Sequence, residues 1–234
     1  MAKREDLRKS RKGTIINVSS QKMESLLVKS LANTISLIEK EFEVRLSHEP
    51  RVYLGEIVEH LSANFPDIDF AFHFNSSFLL PDGGILYLVD KKDQKYVLLI
   101  SEAKRQGTND LREAEGLKKQ AQGNAIERLG KNVTGFRAWM ASETIFPFVV
   151  FGQGVDFDAD SSILDRVSTI AMFAPLNKIE LITQGDNVKF NRGSFFFRKE
   201  PWKVDEMSEI MFEIAKRSIY YYFAKYGQNN FVEK

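Results

Sequence analysis

The sequence lacks cysteine altogether, so disulfide bonds, thiolate catalysis and cysteine-ligated zinc sites are excluded. Histidine is also scarce. The three histidines, His48, His60 and His73, do not lie at metal-ligand spacing from one another. The residue types that most often ligate transition metals therefore give no recognisable site in this chain.

Long apolar runs are missing as well. No segment approaches the ~20 apolar residues that a bilayer-spanning helix needs, and the first residues lack the apolar core of a signal peptide. We therefore expect a cytoplasmic protein without membrane contact. A strong net charge is absent too, since 33 basic and 32 acidic side chains leave +1. Local patches, rather than the total charge, must decide whether nucleic acid is a partner.

The composition favours one sizeable globular unit. With 234 residues, 43% of them hydrophobic, we expect a single domain over residues 1–234 with a substantial core. Residues 1–20 form a basic arm, with Lys3, Arg4, Arg8, Lys9, Arg11 and Lys12 against Glu5 and Asp6. Two interpretations of this arm stay open: a flexible, solvated terminus, or a segment that contacts phosphates with salt-dependent affinity.

Hydrophobic periodicity predicts alternating helices and strands. The predicted helices cover residues 21–42, 52–64, 124–142, 161–173 and 204–226. Strands are predicted at residues 68–74, 146–151, 178–183 and 194–198, together with a hairpin whose turn lies at residues 92–94. This alternation indicates an α/β fold, with a central mixed β-sheet flanked by helices.

The predicted hairpin carries the side chains of greatest chemical interest. Asp82 precedes its first strand, in Pro-Asp-Gly-Gly, and Glu102 and Lys104 close its second strand, in Glu-Ala-Lys. Strand side chains alternate between faces, so Glu102 and Lys104 project to one side and Ala103 to the other. A hairpin returns Asp82 and Glu102 to the same end of the sheet.

Two carboxylates beside an amine suit a metal-dependent phosphodiesterase. Carboxylate oxygens are ligands that a hard cation such as Mg²⁺ prefers, and a neighbouring lysine orients water and stabilises developing negative charge. The alternative is structural, because Asp-Gly-Gly is an ordinary turn signal and Glu-x-Lys is common. The order of the two motifs around a hydrophobic strand favours the nuclease interpretation.

A second group of polar residues surrounds the predicted start of the helix at residue 124. Gly123 permits close approach of a partner to the backbone, and Asn124 is a favoured N-cap. Glu127, Arg128 and Lys131 share a face near this helix start. Asn and Arg are the side chains that pair bidentately with purines. A capped helix with solvent-exposed charges explains the same pattern, and spacing alone does not choose between the two interpretations.

Taken together, these motifs resemble the EcoRI-type restriction endonucleases of the PD-(D/E)xK nuclease superfamily. The matching blocks, in the order of the family, are Asn75-Ser-Ser, Pro81-Asp-Gly-Gly-Ile, Glu102-Ala-Lys, Gly123-Asn-Ala-Ile-Glu-Arg, Lys131-Asn, Phe146-Pro-Phe-Val-Val-Phe, Leu164-Asp-Arg, Thr183-Gln-Gly-Asp and Glu209-Ile-Met-Phe-Glu-Ile. They extend over roughly residues 65–220. The resemblance implies a restriction-endonuclease-like sheet.

The resemblance also implies a Mg²⁺-dependent homodimer that cuts both strands of palindromic double-stranded DNA with an AATT centre and leaves 5′-phosphates. Asp82, Glu102 and the backbone carbonyl of Ala103 are expected to hold the metal, and Lys104 to position or activate water. The DNA-binding residues that it implies are Gln120, Gln122, Gly123, Asn124, Ala125, Glu127, Arg128, Lys131 and Arg166. Of these, Asn124 and Arg128 are expected to contact the adenines, with Glu127 bridging them. A cognate DNA methyltransferase in the same system is implied for self-protection.

One departure leaves the outer base pairs open. Where the prototype of the family has an arginine immediately before Leu-Asp-Arg, this chain has Ile163. Both GAATTC-like and CAATTG-like sites remain possible. Two other functions also remain: a less specific nuclease of this superfamily from repair or mobile elements, and a catalytically inactive DNA-binding relative.

Overall fold

The computed structural model of the chain describes residues 15–105, 116, 124–158 and 161–232. The elements, in chain order, are α1 (Ile15–Glu41), β1 (Arg45–Glu49), β2 (Val52–Tyr53), α2 (Leu54–Asn64), β3 (Phe78–Leu79), β4 (Ile85–Val89), β5 (Lys95–Arg105), α3 (Asn124–Trp139), β6 (Phe148–Gln153), α4 (Ile163–Ile170), α5 (Asn187–Phe190), β7 (Ser194–Arg198) and α6 (Val204–Tyr226). None of the helices in these ranges is long and apolar enough to cross a membrane.

The central sheet is mixed, as predicted. Its five strands lie in the order β1-β4-β5-β6-β7. Strands β1, β4 and β5 pair antiparallel, and the β4–β5 pair is the predicted hairpin. Strands β5, β6 and β7 pair parallel, with Glu102 opposite Val150 and Lys104 opposite Gly152. Strand β5 is therefore the strand at which the antiparallel half of the sheet meets the parallel half.

Helices cover both faces of the sheet, which explains why its inner strands are buried on both sides. One face packs against α1 and α6, whose apolar side chains, such as Leu27 and Met211, meet Leu88 and Phe151. The other face packs against α2, α3 and α4. The predicted apolar stripe of α3, which is Ile126, Leu129, Val133, Phe136 and Met140, is buried there throughout.

The prediction of a strand at residues 68–74 is wrong. The backbone of this segment has no regular secondary structure and lies between two turns, which are closed by the amide of Ile68 donating to the carbonyl of Phe65 and the amide of Ser77 donating to that of Phe74. The side chains of Ile68 and Phe74 are 54% and 71% exposed. Alternating apolar residues suit a pleated surface, but they form a strand only where a partner strand offers hydrogen bonds.

The prediction of a strand at residues 178–183 is also wrong. Only an isolated bridge joins Ile182 to Ile145. The Ser194 hydroxyl accepts the amide hydrogen of Glu180 at 3.0 Å, so a side chain takes the place of a ladder partner.

Helix α1 begins at Ile15, earlier than the predicted start at residue 21. The predicted basic arm of residues 1–20 therefore overlaps this helix. Residues 1–14 lie outside the described residues, and so does the acidic end of the loop at residues 159–160.

A tight turn at residues 81–84 places Asp82 beside strand β5. The amide of Gly84 donates to the carbonyl of Pro81 at 3.0 Å, and the amide of Gly83 donates to that of Ser101 at 2.9 Å. Gly84 has a φ of +75°, a conformation that glycine adopts without steric cost. A Cβ at this position would lie 2.7 Å from the carbonyl oxygen of Glu49. The turn therefore requires glycine on grounds of both conformation and space.

We expect Gly84→Ala to lower the free energy of unfolding by about 3 kcal/mol, because it combines positive-φ strain with a backbone clash. Chemical denaturation monitored by circular dichroism measures this loss. The control is Gly185→Ala, since Gly185 has a similar φ of +59° with no atom near its ideal Cβ. Strain alone should cost about 1 kcal/mol there. Equal losses in the two variants would contradict the role assigned to the close approach at Gly84.

Candidate active site

Three predicted side chains meet at the end of the β4–β5 hairpin. The Lys104 ammonium donates to Asp82 Oδ2 at 3.0 Å and also to Glu102 Oε1. The backbone amide of Asp82 donates to Glu102 Oε2 at 3.3 Å. Two carboxylates that are 20 residues apart along the chain therefore lie around one amine, as the hairpin predicted.

Burial strengthens the electrostatics of this cluster. The Glu102 side chain is only 2% exposed and that of Lys104 13%, whereas that of Asp82 is 27% exposed. Burial raises the pKa of Glu102, and the ammonium of Lys104 opposes this rise. Burial by itself would lower the pKa of Lys104, but Glu102 and Asp82 outweigh it and raise the pKa above its usual value. Lys104 therefore keeps its proton, and its ammonium carries the positive charge that faces the two carboxylates.

The backbone of Ala103 completes the oxygen-rich edge of the cluster. Its amide donates to Asp82 Oδ2 at 3.1 Å. The N–H and C=O groups of a strand residue face the same neighbour, so the carbonyl of Ala103 also faces the side of Asp82. Oxygen atoms of Asp82 and Glu102 already converge on one cation, the Lys104 ammonium. This donor set fits a hard divalent ion.

A metal here would have few protein ligands. Within the described ranges, no group of three or more His, Cys, Asp or Glu side chains is arranged to hold a metal ion. Two carboxylates and one carbonyl would leave the remaining positions to water and substrate, which is how Mg²⁺ is commonly bound.

Two side chains that lie near the cluster were not predicted from the sequence. Asn132, on α3, donates its side-chain amide to both oxygens of Glu102, at 3.2 and 3.3 Å. Glu24, on α1, lines the cleft with Asp82 and Lys104. Partial burial and the charge of Asp82 raise the pKa of Glu24. Asn132 does stand in the Lys131-Asn block that the sequence singled out, but neither residue shows from spacing alone that it reaches the hairpin.

The predicted DNA-binding residues lie around this cleft only in part. The cleft has a volume of about 230 Å³, and Arg128 lines it together with Asp82, Ala103 and Lys104. Glu127 and Lys131 are exposed on α3, and Arg166 is exposed on α4. Asn124 and Ala125 begin α3, but their side chains are not described. Gln120, Gln122 and Gly123 lie outside the described residues.

Comparison with known proteins identifies the family of the chain. The sequence profile of the family described as "Restriction endonuclease EcoRI" matches residues 10–229. The type II restriction enzyme RsrI of Cereibacter sphaeroides is 29% identical over 242 aligned residues, which cover 88% of this chain and 87% of RsrI. The type II restriction enzyme EcoRI of Escherichia coli is 30% identical over 199 residues, covering 70% of this chain and 72% of EcoRI. With the profile match spanning most of its length, this chain belongs to the EcoRI family of restriction endonucleases.

Proposed function

We propose that this type II restriction endonuclease uses Mg²⁺ to cut both strands of a palindromic DNA site with an AATT centre, leaving 5′-phosphates. The observation that carries the proposal is the convergence of Asp82, Glu102 and Lys104 in a cleft that Arg128 also lines. Phosphodiester chemistry and a base-reading side chain therefore share one surface. The names of the relatives support the restriction activity.

In this proposal Asp82, Glu102 and the carbonyl of Ala103 hold the metal. A bound Mg²⁺ would supply Lewis-acid stabilisation of the charge that develops on the phosphate. Lys104 stays in contact with a carboxylate while its ammonium orients the attacking water. The oxygen of this water bonds to phosphorus in line with the departing 3′-oxygen. The P–O3′ bond breaks, the attacking water gives up one proton to solvent and the departing 3′-oxygen takes one up from solvent, so that the products are a 3′-hydroxyl and a 5′-phosphate.

Base reading is assigned to the start of α3 and the segment before it. Arg128 offers two donors to a purine edge, and Glu127 lies beside it to hold the guanidinium or accept an amine. Asn124 is the candidate for adenine, while Gln120, Gln122, Gly123, Ala125, Lys131 and Arg166 are the remaining proposed contacts. An N-terminal helix turn also favours negative charge, so it suits a phosphate nearby.

The outer base pairs must be read without residue 163. Ile163 is 2% exposed and packs into the core beneath α4, so its side chain does not face a DNA surface. Arg166, on the exposed side of the same helix, is the better candidate in this part of the chain. The identity of the outer pair, GAATTC-like or CAATTG-like, therefore depends on residues other than the one that aligns with the arginine of the family prototype.

A homodimer follows from the symmetry of a palindrome, because two identical protomers present the same contacts to both half-sites. An open groove along α3 and α4 supports this proposal. It is lined by Arg137, Ile170, Met172, Val188 and Arg192. Phe173 directly follows the groove-lining Met172 in the sequence; it is 78% exposed at a φ of +63°, which is a strained conformation for a bulky residue. Exposed apolar side chains of this kind mark interaction surfaces.

The groove also carries uncompensated positive charge. Burial is the larger cause that lowers the pKa of Arg137, and the positive charge of nearby Arg192 lowers it further. Within the described part of the chain, both guanidinium groups donate to backbone carbonyls rather than to carboxylates. A second copy that supplies carboxylates would complete this surface.

The biological setting follows from the activity. An enzyme that cuts palindromic duplex DNA needs a cognate methyltransferase that modifies the same site in the host, without direct contact between the two proteins. Its substrate places it in the cytoplasm.

Incubation with plasmid DNA and MgCl₂ tests the function. We expect discrete fragments whose sequenced ends share an AATT centre. A smear would identify a less specific nuclease, and a gel shift without cleavage would identify an inactive relative.

Asp82→Ala should lower cleavage at least ~100-fold, because a metal ligand is lost, while site binding stays near that of the parent. Cleavage by Asp82→Ala at the rate of the parent would show that Asp82 is not a metal ligand. Asp67→Ala, at an exposed aspartate that does not line the cleft, is the control.

We expect Arg128→Ala to lose sequence-selective binding, since a good bidentate contact contributes ~1–3 kcal/mol and a dimer uses it twice. Competition gel shifts between the cognate duplex and one with a changed centre measure the preference. Arg217→Ala is the matched control, because Arg217 pairs with Glu213 on the exposed surface of α6. An unchanged preference in Arg128→Ala would exclude this residue from base reading.

We expect Phe173→Ser to weaken self-association at least ~10-fold, since burial of a large aromatic side chain at an interface is often worth more than 1 kcal/mol. Light scattering coupled to size-exclusion chromatography, over a range of protein concentrations, reports the oligomeric state. Phe74→Ser is the control, because Phe74 is similarly exposed, at 71%, but is not adjacent in sequence to any residue that lines the groove. A monomeric parent, or equal association of both variants, would contradict the proposed interface.

A further inference from the structure

Asn132 makes a polar contact from helix α3 to the end of the hairpin that holds Glu102. Its side-chain amide lies 3.2 Å from Glu102 Oε1 and 3.3 Å from Oε2. The other donors to this carboxylate among the described residues, Lys104 and the backbone of Asp82, both belong to the hairpin. Among the residues that the structure describes, Asn132 is thus the donor that connects the Glu102 carboxylate to a different element of the fold.

The geometry gives this contact a specific physical effect. The terminal torsion of a glutamate side chain is broad, so burial alone does not fix the plane of its carboxylate. An amide that faces both oxygens does fix this plane. The amide is neutral, so it satisfies the buried acceptors without placing a second positive charge where a cation would bind. Lys104, in contrast, places a full positive charge against Glu102 Oε1 and Asp82 Oδ2.

The position of Asn132 on α3 is equally specific. It lies four residues after Arg128, so the two side chains share one face of the helix. Arg128 lines the cleft, and Asn132 reaches beneath it to Glu102, whose side chain is 2% exposed. One helix face thus carries both a proposed base-reading residue and a partner of a proposed metal ligand.

We infer that Asn132 is a positioning residue that orients the Glu102 carboxylate for the divalent cation. This inference rests on the proposed assignment of Glu102 as a metal ligand. Asn132 does not touch the metal or the scissile phosphate; it acts through Glu102. Partners of metal-ligating carboxylates commonly change metal affinity ~10–100-fold when they are removed.

The test is calorimetric titration of Mn²⁺ into the dimer bound to its own cleavage product, a duplex with 5′-phosphates at the cut, in which turnover does not interfere. We expect Asn132→Leu, which keeps the size of the side chain but removes the donor, to weaken Mn²⁺ binding ~10-fold. Asn132→Gln retains an amide donor and should recover part of the loss. Asn33→Leu, the same substitution at an exposed position of α1 that lines neither the cleft nor the groove, should bind as the parent does.

Cleavage kinetics supply a second readout. In Asn132→Leu the Mg²⁺ concentration for half-maximal cleavage should rise ~10-fold, while kcat at saturating Mg²⁺ stays within about threefold of the parent. A purely structural role would instead lower the melting temperature and the active fraction without changing the metal dependence.

The outcomes separate the inference from the proposed function. If the parent binds Mn²⁺ and Asn132→Leu binds it equally well, the positioning role is wrong and the metal assignment stands. If the parent–product complex does not bind Mn²⁺, both are overturned. A melting temperature of Asn132→Leu close to those of the parent and of Asn33→Leu shows that any loss of affinity is local.

Discussion

The site depends on one buried carboxylate and the charge held against it. Glu102 is almost wholly removed from water, a position that is costly for an anion unless opposite charge and hydrogen bonds compensate. Lys104 supplies the charge, while Asn132 and the amide of Asp82 supply hydrogen bonds. The rest of the fold serves to hold these groups together, because moving any one of them would leave a charge or an acceptor without a partner.

The same interaction bears on the proposed metal site. In that site a divalent ion would compete with Lys104 for the same carboxylate oxygens, since the negative charge of Asp82 and Glu102 attracts both. The high proton affinity of Lys104 arises from those carboxylates. A bound cation that neutralised them would therefore weaken the hold of Lys104 on its proton, which would link metal binding to the charge of the amine.

Sequence reasoning succeeded where the relevant contacts are local or periodic. Asp82, Glu102 and Lys104 belong to one hairpin, so the alternation of a strand and one turn sufficed to bring them together. The buried stripe of α3 followed from helical periodicity in the same way. Asn132 could not be found like this, because its contact with Glu102 crosses from a helix to a strand. The false strand at residues 68–74 has the converse cause, since alternation does not reveal whether a partner strand exists.

The position of β5 at the junction between antiparallel and parallel pairing has a consequence for divergence within such a fold. Glu102 and Lys104 stand at its carboxyl end, and the parallel strands β6 and β7 finish at the same edge. Loops leaving that edge are free to change length and composition, since the ladder beneath them is already complete. New target preferences can therefore arise from connecting segments while the hydrolytic machinery stays untouched, which separates the evolution of what is cut from the evolution of how it is cut.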